Sequence, residues 1–173
     1  MPSTTSKTNA LALRPNIPQK NKNQGETYLK FKLNQQTPAL LAMSQAQEVI
    51  LLPPNRLTSM PNMPPFVLGL MNRRSRAIWV INLAQMLGLN ETLTTGQQYN
   101  VIIIRNGSVY LGVVVQSVEG VIRLTQESIQ SAQGQISSGL VPYLRGCTLS
   151  ETEILLVLDA EGIIRSLQES MKR

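Results

Sequence analysis

The sequence predicts a mainly β fold, a barrel or sandwich of eight or more short strands with few helices. Three observations carry that prediction. Tyr28-Leu29-Lys30-Phe31-Lys32-Leu33 alternates apolar and polar after its first residue, so Leu29, Phe31 and Leu33 share one face. Asn106-Gly107 lies between two apolar runs, and Asn-Gly is the strongest short-range hairpin signal. Helical spacing sustained beyond a turn or two is confined to the C-terminal stretch.

The elements follow in order. Residues 1–25 are rich in Ser, Thr, Asn, Gln, Pro and Lys and cannot bury enough apolar area to offset their ordering entropy, so they read as a disordered basic tail. The strand over 28–33 is followed by the polar turn Asn34 to Pro38 and a second strand, Ala39 to Met43, which makes a hairpin. Ser44 can cap a single helical turn reaching Ile50. Five of the ten prolines fall within 53–65, which makes that stretch a stiff surface loop rather than a helix. Ala77 to Ile81 is a strand apolar on both faces, either buried twice or offering one side to another protein.

Leu83 to Gly88 reads as a short helix ended by its glycine. Tyr99 to Arg105 and Val109 to Val115 flank the Asn106-Gly107-Ser108 turn. Val118 to Leu124 is a further strand in which Gly120 permits a bulge. Thr125 and Ser128 fit a short helical turn, and 132–139 is a loop. Val141 to Leu149 and Ile154 to Leu158 form a last hairpin. Ile163, Ile164, Leu167 and Met171 place an amphipathic helix over 160–171. No internal repeat stands out, although the strand count accommodates two hairpin-rich halves.

Composition narrows the function. The chain of 173 residues is long enough for one domain with a real core. No apolar run reaches eighteen residues and no secretory h-region is present, so a cytoplasmic, non-spanning protein is the expectation. The absence of histidine removes Ser-His-Asp and Cys-His arrangements and histidine metal ligands. The lone Cys147 excludes an intramolecular disulfide and a multi-cysteine zinc site. Asp159 is the only aspartate, so no paired-aspartate magnesium site can form, and the acids Glu151 and Glu153 read as an exposed turn. No glycine loop has phosphate-cradling spacing. No cofactor, no metal and no catalytic residue is expected. Of the net charge of +6, residues 1–25 supply four units through Lys7, Arg14, Lys20 and Lys22. The folded part is only weakly basic.

One stretch stands apart: Gly69-Leu70-Met71-Asn72-Arg73-Arg74-Ser75-Arg76, followed by the apolar strand that contains Trp79. Clustered guanidinium groups on a turn present many fixed donors, which suits recognition of carboxylates on a partner better than catalysis. The same residues, with Lys30-Phe31-Lys32, admit a small β-barrel nucleic-acid binder. Aromatic content of 4% argues against that, because stacking platforms need exposed rings.

This stretch resembles the signature of the CheW-like chemotaxis coupling family, a Gly-hydrophobic-hydrophobic-Asn-x-Arg-Gly turn feeding a strand that ends in Asp-Leu. Gly69, Asn72, Arg74 and Leu83 match. Ser75 replaces the usual glycine, Trp79 a frequent proline and Asn82 a frequent aspartate. Leu29 to Leu33 is similar to the family's first strand. Gln47-Glu48-Val49 is similar to its Val-x-Glu-Ile segment, with Ala46 at the valine position. Pro64 to Gly69 resembles its proline-flanked approach to the arginine turn. Leu111 to Val118 resembles a later strand, with Gln116 replacing aspartate, and Tyr143-Leu144-Arg145-Gly146 its late turn.

The resemblance spans residues 26–168, leaving 169–173 as a short C-terminal tail. It implies two linked five-stranded β-barrels of SH3-like type and a non-catalytic adaptor. The implied partners are a methyl-accepting chemoreceptor tip and the regulatory domain of a CheA-type histidine kinase, with no nucleic acid and with membrane association only through the receptor array. By the same resemblance Arg74 and Glu48 face the receptor and Asn72 holds the turn that aims Arg74. Ala46, Gly69 and Ser75 complete the partner-binding region. Ala77, Trp79 and Ile81 supply apolar contact.

Overall fold

A computed structural model describes residues 25–90, 97–134 and 136–172. Among the described residues, ten strands form two five-stranded sheets, accompanied by two α-helices and three 3-10 turns. The strands are β1 (Glu26–Asn34), β2 (Thr37–Ala42), β3 (Ala46–Leu52), β4 (Val67–Arg73), β5 (Arg76–Asn82), β6 (Tyr99–Asn106), β7 (Val109–Val115), β8 (Ser117–Leu124), β9 (Leu144–Ser150) and β10 (Glu153–Leu158). Helix α1 covers Leu83–Met86 and α2 covers Ala160–Met171. The predicted disordered tail lies outside the described residues except for Gly25, and α2 carries the ordered chain past residue 168.

The first sheet runs β8-β1-β2-β10-β9 and the second β3-β6-β7-β5-β4. Neither closes by a full ladder. Each seam is tied instead by one isolated antiparallel bridge, Gln130 to Cys147 in the first sheet and Thr58 to Leu70 in the second. A glycine precedes the bridged residue on the far side of both seams. A Cβ on Gly69 would lie 2.4 Å from the Thr58 carbonyl oxygen, and one on Gly146 would lie 2.3 Å from that of Gln130. Only a residue without a side chain lets the two backbones come this close.

These seams belong to a repeat. The chain reads twice as hairpin, strand, 3-10 turn, bridge residue, hairpin, helix. Val49-Ile50-Leu51-Leu52 and its 3-10 turn Pro54–Arg56 match Val121-Ile122-Arg123-Leu124 and the turn Gln126–Ser128. Asn82 caps α1 by accepting from the Gln85 amide, and Asp159 caps α2 by accepting from the Glu161 amide. The parallel pairing of β5 with β7 answers that of β10 with β2. The halves are exchanged: the first repeat gives β1–β2 to one sheet and β3–β5 to the other, and the second gives the complement.

Three cores follow from strand alternation. Tyr28, Leu40, Leu155 and Val157 fill the first sheet's concave side, and Met71, Ile78, Val101 and Ile103 the second's. The largest lies between the sheets, where Phe31, Leu41, Ile81, Ile102 and Val113 meet Ile163, Ile164 and Leu167 of α2. The two-sided apolar strand is therefore buried twice, with Ile78 and Val80 inside the second sheet and Trp79 and Ile81 toward the inter-sheet core.

Two predicted elements differ. Val141–Tyr143 is a 3-10 turn rather than the start of the last hairpin, which begins at Leu144, because Pro142 has no N–H to give a strand ladder. Ser44 to Ile50 is not a helical turn; its latter part belongs to β3, because Val49 and Ile50 favour a pleated surface and the segment pairs with β6 from Ala46 onward. The bulge at Gly120, the hairpin at Gly107 and α2 over 160–171 form where the sequence places them.

Candidate functional site: an arginine rim around Glu48

The β4–β5 hairpin closes on Arg73 paired with Arg76, leaving Arg74 and Ser75 as a two-residue turn. Both have positive φ, 52° at Arg74 and 62° at Ser75. That is the left-handed pair a type I′ turn requires, usually supplied by Asn-Gly. The turn throws Arg74 outward, and its side chain is 77% exposed.

Glu48 lies on β3, just past a bulge at Gln47. Strands β3 and β4 are opposite ends of the second sheet, so side chains must cross their open seam. Arg73 Nη2 donates to Glu48 Oε2 at 2.5 Å, and Arg74 Nε approaches Oε1 at 3.5 Å. The hydrogen bond from Arg73 is the main cause that holds the Glu48 carboxyl below the usual glutamate value; partial burial opposes it, and the charges of Arg73 and Arg74 assist. Glu48 is thus an ionised acid neutralised chiefly by Arg73.

The rim continues onto β5, β7 and β6. The Arg76 guanidinium sits 4.2 Å from the centroid of the Tyr110 ring, and that of Arg105 sits 5.3 Å from it. Arg105 and Tyr110 are directly paired across the β6–β7 hairpin, and Arg105 Nε donates to the Gly107 carbonyl at 2.5 Å. A shallow depression of about 290 Å³ is lined by Glu48, Arg73, Arg74, Arg76, Tyr110 and Ile103, among others.

The structure brings Glu48, Arg74 and Ser75 together. Ala46 is half-buried against the inter-sheet core beside the same bulge. Gly69 is buried at the seam bridge, below the rim. Asn72 is exposed, and among the described residues its amide makes no hydrogen bond to the turn, so backbone pairing carries the turn's shape. Trp79 is half-buried and packs on the inter-sheet core. Ile81, expected to offer apolar contact, is fully buried there, because its strand is covered on both sides.

Arg73, Arg105 and Tyr110 were not singled out as site residues by sequence reasoning. Arg105 and Tyr110 could have been found by folding the Asn106-Gly107-Ser108 hairpin on paper, which sets them opposite each other. The stacking surface needed by a nucleic-acid binder does not form at Lys30-Phe31-Lys32: Phe31 is fully buried, and both lysines approach Glu119, at 3.7 and 3.6 Å.

Two interleaved SH3-like sheets with an arginine rim at one end define a small β interaction module. The CheW-like domain family matches residues 27–168, and the chain belongs to that family. It is 32% identical over 109 residues to the chemotaxis protein CheW of Treponema pallidum, a match covering 61% of this chain and 64% of that protein, just under two thirds of its length. It is 26% identical over 139 residues to the chemotaxis protein CheW of Thermotoga maritima, covering 80% of this chain and 87% of that one. The crystal structure of the scaffolding protein TtCheW from Thermoanaerobacter tengcongensis superposes with a TM-score of 0.69 at 19% identity, covering 78% of this chain and 89% of that one, a likeness of fold. The chain thus shares its family with these chemotaxis proteins and its fold with that scaffolding protein. Among the described residues no helix is long and apolar enough to cross a membrane.

Proposed function

We propose that this chain couples the tip of a methyl-accepting chemoreceptor to the regulatory domain of a CheA-type histidine kinase, working in the cytoplasm and reaching the membrane only through the receptor array. Arg74 and Glu48 form the receptor contact. The observation that carries this reading is the disposition of Arg74: it stands on a left-handed turn, mostly exposed, beside an acid whose charge Arg73 already answers. Arg74 therefore keeps donors for a partner's carboxylates and carbonyls. Glu48 presents a fixed charge, and Ala46, Asn72 and Ser75 frame the contact.

An adaptor needs a second surface. The first sheet supplies one in the exposed apolar side chains of Val121, Leu149 and Ile154, on strands of the sheet that does not carry the arginine rim. We assign this face to the kinase.

The test is binding of the full chain to the receptor's cytoplasmic signalling hairpin and, separately, to the kinase regulatory domain. Arg74→Glu reverses a charge at the contact and should weaken receptor binding by at least tenfold, leave kinase binding within twofold and leave Tm unchanged. Receptor affinity unaltered in a folded Arg74→Glu protein would refute the site. Failure of the wild-type chain to bind either partner would refute the coupling role.

A further inference from the structure

The arginine rim is larger than the contact just described. Arg76 and Arg105 clasp the ring of Tyr110 from strands on either side of β7, and neither forms an ion pair among the described residues. The depression and its edge carry four arginines, Arg73, Arg74, Arg76 and Arg105, against the single acid Glu48, so three positive charges stand in excess.

We propose that Arg76, Tyr110 and Arg105 form a carboxylate-recognising ledge that selects a partner segment bearing acidic side chains; this deepens the receptor-contact reading and rests on it. Three physical points support the assignment. A guanidinium laid on an aromatic ring keeps its in-plane N–H donors free while its face is occupied, so the ring orients the fork without consuming it. Holding two arginines by one ring removes part of the side-chain entropy that binding would otherwise cost. The excess positive charge in and beside the depression is mutually repulsive, and a bound carboxylate relieves that repulsion. Arg105 is further fixed through Nε to the Gly107 carbonyl, which leaves its two terminal amino groups for a ligand.

The partner is therefore an acidic protein segment rather than an apolar one. Its carboxylates must reach both the turn and the β6–β7 hairpin. On this assignment Arg74 contributes to affinity for the receptor, while the ledge decides which receptor tips are accepted.

Two measurements test the assignment. The first titrates full-length protein with a deca-glutamate peptide at low salt, following arginine Nε–Hε and tyrosine ring signals by NMR. The Arg76, Arg105 and Tyr110 signals should move first, and a deca-lysine peptide should move none of them. Equal movement at Arg56, Arg123 and Arg165, or none at the ledge, overturns the assignment whatever becomes of the coupling role. The second measures binding to the receptor signalling hairpin across a salt series. Arg76→Gln and Arg105→Gln should each weaken binding about tenfold and flatten the salt dependence. Tyr110→Leu should weaken it about threefold while Tyr110→Phe, which keeps the ring, should not. Wild-type affinity and salt slope in the folded glutamine variants overturn the ledge and leave the Arg74 contact standing.

Discussion

Ser75 carries a conformational cost that a glycine would not. Its φ of 62° sits in the left-handed region, where an L-residue loses about 1–2 kcal/mol, and a glycine returns about 0.4–1 kcal/mol of that through a more flexible unfolded chain. Ser75→Gly should stabilise the protein by about 0.5–1 kcal/mol, read as a higher urea midpoint at constant m. A lower midpoint would show that the Ser75 side chain does something the backbone cost conceals. Glu48 offers a second residue-scale prediction. Its folded carboxyl titrates below the ordinary value, so its contribution to stability is complete above that value and is lost as pH falls through the lower, folded one. The stability gap between wild type and Glu48→Gln should be constant near neutrality and close in acid. A gap that persists in acid would mean that shape, not charge, sets the role of Glu48. The family resemblance made Glu48 and Arg74 legible from sequence. The dominance of Arg73 was not, because it depends on a crossing between strands that share no ladder.

At the scale of elements, legibility followed local signals. The Gly107 hairpin, the Gly120 bulge and α2 each rest on a contiguous pattern, and each forms where that pattern lies. Strand β3 has no such signal: a possible cap at Ser44 competes with an alternation that leaves Val49 and Leu51 exposed, and only pairing with β6 decides the matter. The seams were likewise invisible, because Gly69 and Gly146 meet their partners through tertiary approach. That approach is testable. Gly69→Ala would drive a methyl into the Thr58 carbonyl at a backbone φ of 145°, where neither strand can give way without opening the seam. It should cost about 3–5 kcal/mol, at the severe end for a single substitution. Gly107→Ala, with positive φ but open space around it, should cost only about 1 kcal/mol. Similar losses at the two sites, in thermal or urea unfolding, would show that the seam is not held by close backbone contact.

The whole molecule is a duplication whose halves have exchanged strands, and this governs how it can come apart. Neither sheet can be completed from a continuous stretch of chain, since β1–β2 finish a sheet built from β8–β10, and β6–β7 finish one built from β3–β5. The inter-sheet core joins side chains from both sheets with α2, and the Gln116 amide at the end of β7 donates to the Lys32 carbonyl on β1. A half that unfolds therefore removes strands from both sheets at once. Sequence reading missed the repeat because identity is confined to a short Val-Ile-x-Leu run in β3 and β8, while elsewhere the matched residues preserve position rather than type: Glu48 answers Gly120 at the bulge, and the arginine turn answers the acidic turn around Glu151. Interleaving predicts one cooperative transition, with calorimetric and van't Hoff enthalpies equal. Gly69→Ala strikes the second sheet's seam and Gly146→Ala the first's, yet each should lower hydrogen-exchange protection equally at Ile103 and at Val157, whose amides lie in different sheets. If instead each substitution weakened protection only in its own sheet, the two sheets would be separate folding units, and the exchange of strands would be a matter of connectivity without thermodynamic consequence.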